Sequence, residues 1–204
     1  MSDKINNPYI FKKDEIKTIT DNFSTHIDWE KPVFSLIKQN IITHLRIEQN
    51  NRCCYCKNEL GFDIKAVDIE HIIPKSEYNN FTFNNINLAL SCPACNTKKS
   101  TKPVLIKKHI YYPRNGSAFI IVHAHYDNYS EHIMSLDQCI YVAKTTKGGQ
   151  TIIHCELFRF LEVMEKAKKF QSKKSPMALL TEQIRNANEE EIDDLLDAIK
   201  DKIK

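Results

Sequence analysis

The sequence predicts an α+β chain, and three observations predict it. Two Cys-x-x-Cys pairs, Cys53/Cys56 and Cys92/Cys95, enclose short segments of alternating polarity. Apolar residues recur at helical intervals towards both ends of the chain, and a Gly-Gly turn signal separates two further β-rich segments. Each cysteine pair offers two thiolates three positions apart, as tetrahedral zinc requires, and four thiolates make a closed structural site.

Composition bounds the rest. With 204 residues, 42% hydrophobic and 27% charged, the chain has enough apolar content to bury a real core. No stretch approaches the run of about 18 apolar residues that a membrane helix needs. Met1 to Pro8 is polar rather than signal-like, so the cytoplasm is the expected compartment. Seven cysteines without a secretory signal point to metal rather than disulfides, which leaves Cys54, Cys139 and Cys155 as expected buried thiols. A net charge of +3 is too small to argue for nucleic acid by itself; its distribution says more.

In chain order, Asp14 to Phe23 places Ile16, Ile19 and Phe23 at helical intervals. A second helix is expected from Pro32, with a stripe of Val33, Leu36, Ile37, Ile41, Leu45 and Ile47 bracing the cysteine-bound centre. Ala66 to Ile73 alternates as a strand that Pro74 ends, because the residue before proline is held extended and the ring cannot join a ladder. Lys75 to Ile86 reads as a long asparagine-rich loop over the site. Asn87 to Ser91 returns to the core, and Cys95 to Thr101 is expected to be a short helix ending at Pro103. Ser117 to His125 alternates as a strand, and Ile140 to Ala143 is expected to pair with Thr151 to His154 across Lys147-Gly148-Gly149-Gln150. Helices are expected over Glu156 to Phe170 and Glu189 to Lys204, the latter with an apolar stripe suited to a partner's groove. The resulting division is 1–51 (helical brace), 52–103 (cysteine-bound centre), 104–154 (basic segment and hairpin) and 155–204 (helical end).

Chemistry concentrates between the cysteine pairs, in Asp68-Ile69-Glu70-His71-Ile72-Ile73-Pro74-Lys75-Ser76, Asn87-Leu88 and Asn96-Thr97-Lys98-Lys99. Oxygen ligands beside a histidine, at the edge of a metal-stapled scaffold, suggest hydrolytic metal chemistry. These pieces, CxxC, EHIxPxS, Asn-Leu and CxxCNxxK in that order, resemble the HNH endonuclease family in its four-cysteine form. The interval between Asn87 and Asn96 is familiar from the HNH domains of RNA-guided CRISPR nucleases. Glu70 departs from the Asp or His that many members carry there. With helices on both sides, the EHxxPKS form is similar to HNH subunits of bacterial antiphage systems such as Septu and retron-associated effectors.

The resemblance implies a ββα-metal finger around a structural zinc on Cys53, Cys56, Cys92 and Cys95, cutting DNA to leave 5′-phosphate ends. It implies His71 as general base, Asn87 orienting it, and Lys99 steadying phosphate. Glu70 and Asn96 are then the ligands of Mg²⁺ or Mn²⁺. Lys75, Lys98, Lys102, Lys107 and Lys108 form a basic patch suited to backbone phosphates. A protein partner, such as an ATPase or another defence subunit, is expected at the helical ends. Two rivals remain: a non-catalytic zinc ribbon leaves Glu70, His71 and Asn96 without a reason, and an interaction subunit would carry a decayed finger. His123, His125, Asp127 and His132 stand close enough in sequence for a second site or for packing.

Overall fold

The computed structural model describes residues 3–63, 66–136, 139–160 and 162. By internal contacts the chain divides after Phe160, and the described residues lie almost wholly in the first unit. The expected segments beyond Phe160, including Glu189 to Lys204, lie outside the described residues.

Helix α1 (Lys13–Asn22) is followed by two short 3-10 turns, His26–Glu30 and Pro32–Phe34, and by α2 (Ser35–Glu48). Glu15 in the first turn of α1 is buried yet satisfied: Tyr9 Oη, Asn40 Nδ2 and the Lys12 amide all donate to it. The buried face of α2 is Phe34, Ile37, Ile41 and Leu45, steps of three and four residues along one side. Val33, Leu36 and Ile47, expected in that stripe, are instead exposed, because they lie off that side of the helix. At the end of α2 the buried Gln49 side chain accepts from the Leu90 amide at 2.7 Å and donates to the Leu90 carbonyl at 3.0 Å, which fastens the helix to a strand edge.

Strands β1 (Asp68–His71) and β2 (Leu88–Ser91) pair antiparallel, with Asp68 opposite Ser91 and His71 opposite Leu88. Helix α3 (Pro93–Lys99) follows at once, with proline in its first turn, where a missing N–H costs nothing. The loop between the strands contains two 3-10 turns and buries Phe81, Thr82 and Asn87. Its asparagines do not open over the site as expected; Asn79 donates to the Ser24 carbonyl and Asn85 to the Tyr9 carbonyl, stitching the loop to the N-terminal segment.

Beyond α3 three expectations fail. Residues 117–125 form no strand: Gly116–Ala118 is a 3-10 turn, Leu105 and Phe119 make one isolated bridge, and the Val122 amide donates to Thr151 Oγ1 at 2.8 Å. Alternating polarity here marks burial of Phe119, Ile121 and Val122, with the backbone satisfied piecemeal. After a short helix, α4 (Tyr129–His132), β3 (Ile133–Leu136) pairs with β4 (Ile140–Ala143), and α5 (Thr146–His154) follows. The partner of Ile140–Ala143 is therefore the preceding strand, and Thr151–His154 is helical. Thr145 Oγ1 accepts from the Gly148 amide as a helix cap. A Cβ on Gly148 would lie 2.0 Å from the His132 carbonyl oxygen, so this glycine permits close approach of α5 to α4 rather than a hairpin turn. Residues 155–158 turn, with Glu156 at a φ of 48°, so no helix begins at Glu156. No helix among the described residues is long and apolar enough to cross a membrane.

Candidate metal centre and cleft

The Sγ atoms of Cys53, Cys56, Cys92 and Cys95 lie within 4.8 Å of one another. The Cys56 to Cys92 separation is 3.9 Å. Four sulfurs about 2.3 Å from one zinc stand about 3.8 Å apart at the corners of a tetrahedron, so this donor set is of the kind and spacing that zinc takes. The first pair sits on a turn closed by the Arg52–Glu59 bridge; the second caps α3, with Cys92 Sγ accepting from the Cys95 amide. Burial opposes ionisation of Cys53, yet hydrogen bonds from its sulfur neighbours hold its pKa well below the usual thiol range. Hydroxyls from the later elements brace the turn: Tyr129 donates to the Tyr55 carbonyl and Tyr141 to the Cys56 carbonyl, each at 2.8 Å. The remaining thiols differ: Cys54 and Cys155 are buried as expected, whereas Cys139 is only partly so.

Beside this centre a cleft of about 710 Å³ is lined by β1, the start of the following loop, α3 and the His26–Glu30 turn with α2. His71 ends β1 and lies in the cleft wall together with Glu70, although neighbours on a strand ordinarily face opposite ways. His71 Nε2 is 3.0 Å from the Thr82 carbonyl. A carbonyl only accepts, so Nε2 carries the proton and Nδ1 is the basic atom of the ring. The Trp29 ring meets it edge-on at 4.6 Å between centroids. Burial, and then the charge of Lys75, push the His71 pKa down to about 3. Asn87 fixes the loop behind it: Nδ2 donates to the carbonyls of Ile73 and Phe81, and Oδ1 accepts from the Ile73 amide at 2.7 Å.

Asn96 Nδ2 donates to Asp68 Oδ2 at 2.8 Å, joining the start of β1 to α3. Asp68 had no role assigned from the sequence, although it precedes Glu70 by two residues and so shares its strand face. Glu70 is almost fully buried, with Lys99 Nζ 2.6 Å from Oε1 and Tyr55 Oη donating to the same oxygen. Burial raises the Glu70 pKa against the pull of Lys99. The Lys99 ammonium also donates to the His71 carbonyl and is 1% exposed at the cleft wall, so it neutralises Glu70 and ties α3 to β1.

The lysines expected to meet nucleic acid differ in their surroundings. Lys75 lines the cleft. Lys98 pairs with Glu156 at 2.8 Å, and Lys102 donates to the His154 carbonyl. Lys107 and Lys108 are exposed in the segment that carries the exposed Ile110 and Tyr111. The histidines further on do not converge on one point. His123 Nε2 meets Tyr112 Oη, His125 Nε2 donates to the Leu88 carbonyl, His132 meets Thr145 Oγ1, and Asp127 pairs with Lys147. Among the described residues, the four cysteines are the one group of three or more His, Cys, Asp and Glu side chains placed to hold a metal.

A two-stranded antiparallel sheet followed at once by a helix, pinned by four thiolates and carrying a histidine at the end of its first strand, defines a ββα-metal finger. Residues 53–102 match the family model described as HNH endonuclease, and this stretch of the chain is an HNH domain. Over 124 residues the chain is 30% identical to the Septu protein PtuB of Bacillus thuringiensis, an alignment that spans 61% of this chain and 40% of that relative. The chain thus matches about two-fifths of the relative's length.

Proposed function

We propose that this chain is a metal-dependent endonuclease that hydrolyses phosphodiester bonds in DNA. The observation that carries the reading is the meeting in one cleft of a neutral imidazole, its basic Nδ1 set by the Thr82 carbonyl, with the hydrogen-bonded Asp68–Asn96 pair. Hydrolysis needs a base for the attacking water and positive charge beside the phosphate. His71 Nδ1 accepts the proton of the water. Asn96, with the carboxylates of Asp68 and Glu70, would hold a hard divalent ion, Mg²⁺ or Mn²⁺, which supplies that charge to the leaving oxygen. Lys99 balances Glu70 and leaves Asp68 as the carboxylate with a bond to Asn96.

The four thiolates hold zinc and tie the Cys53–Cys56 turn to the start of α3; zinc takes no part in the chemistry. The likeness to a Septu protein supports a place in a bacterial antiphage assembly, with a protein partner that restrains cleavage. The test is incubation of supercoiled plasmid with purified protein and Mg²⁺ or Mn²⁺. Nicking that is lost in His71→Ala is expected; intact supercoils at every protein concentration would reduce the finger to a binding ribbon.

A further inference from the structure

In the cleft that Asp68 and Asn96 line, one carboxylate bridges two lysines that come from separate parts of the chain. Glu30 Oε2 is 3.2 Å from Lys38 Nζ on α2, and Glu30 Oε1 is 3.7 Å from Lys75 Nζ on the loop after β1. All three residues line the cleft that contains His71. We propose that Lys38 and Lys75 form a seat for a backbone phosphate of the DNA strand in the cleft, and that the Glu30 carboxylate occupies this seat until DNA displaces it. The inference rests on the nuclease reading and extends the substrate site to the N-terminal region outside residues 53–102.

Three features favour exchange of one anion for another. A carboxylate presents two oxygens to two ammonium groups in the way that the two non-bridging oxygens of a phosphodiester would. Glu30 is the movable member: its side chain is 69% exposed at the end of a 3-10 turn, and an ion pair so exposed holds weakly. Lys38 is the fixed member, since its ammonium lies over the Trp29 ring at 5.0 Å and its side chain is 23% exposed. Trp29 in turn packs edge-on against His71, so the distance from the seat to the base is set by rigid side chains.

The test is fluorescence anisotropy of a labelled DNA duplex with the full chain, titrated over a range of salt without added divalent ion. Each phosphate contact contributes about 0.9 to the slope of log K against log salt. Lys38→Met keeps the apolar stem over Trp29 and is expected to reduce the slope by about one contact and weaken binding severalfold, while Lys38→Arg restores both. Glu30→Gln is expected to tighten binding at low salt, and Lys17→Ala on α1 to change neither. Retained zinc content in each variant reports a folded finger. An unchanged slope in Lys38→Met, unchanged affinity in Glu30→Gln, or no duplex binding by the parent chain overturns the seat. Duplex binding with the expected slopes but no plasmid nicking leaves the seat standing and rejects the nuclease reading.

Discussion

The ammonium of Lys99 lies 2.6 Å from Glu70 Oε1, and neither side chain is more than 2% exposed. Removing one member of such a pair leaves an unpaired buried charge, at a cost of about 3–5 kcal/mol. Lys99→Met is therefore expected to lower stability to urea far more than Lys98→Met, whose lysine pairs with Glu156 in a solvent-screened surface position. Combining Glu70→Gln with Lys99→Met should recover part of the loss, since no buried charge then remains to be paired. Equal urea midpoints for the Lys99 and Lys98 variants would show that the ion pair does not hold α3 to β1.

Purified protein should carry about one zinc per chain, since four thiolates close one tetrahedral site. Cys92→Ser is expected to yield metal-free or insoluble protein, because one of the four thiolate ligands is lost while the serine hydroxyl can still cap the helix. Cys139→Ser should leave zinc content intact, its sulfur lying outside the cluster. Metal analysis of the two variants decides the assignment, and equal zinc loss in both would count against it.

His71→Ala is expected to reduce plasmid nicking by about 10²-fold or more, the usual worth of a general base, with zinc content unchanged. With its pKa pushed down to about 3, His71 remains unprotonated through the range where a free histidine titrates, so activity should show no acid limb centred near 6.5. The measurement is the pH profile of nicking at saturating Mg²⁺. An inflection near 6.5 that disappears in the His71 variant would place the base in contact with solvent.

Stability should fall on mild acidification. His71, His123 and His125 are buried and held neutral: burial pushes the first down to about 3, the second well below its usual value and the third to about 4. Their folded pKa values lie below the unfolded value of about 6.5, so the unfolded chain binds protons first as pH falls. The loss begins near pH 6.5, grows by up to about 1.4 kcal/mol per pH unit for each histidine, and continues to about pH 4 for His125. Urea midpoints at about pH 7.5 and about pH 5 test the sign, and no decrease between them would contradict it.

Much of the metal centre and part of the cleft were legible in the order of residues. Thiolates in two Cys-x-x-Cys pairs announce themselves because ligand spacing on a turn or helix start is a local property, whereas the Glu-His step before Pro74 and the asparagine just past the second pair drew their roles from the family resemblance. The β1–β2–α3 order followed from the same stretch. Glycine was ambiguous locally: Gly148 suits a hairpin turn or a close helix approach equally, and only the His132 carbonyl beside it decides.

By itself, then, the sequence determined the cysteine-bound finger, its strand and helix order, and His71 and Asn96 as the polar groups around which a site would form. Only the tertiary structure decided that Lys99 is spent on Glu70, that Asp68 is the carboxylate bonded to Asn96, and that Trp29, Glu30 and Lys38 wall the cleft. The reason is physical: spacing along the chain sets which atoms one element presents, whereas burial and charge pairing depend on which other element packs across from it.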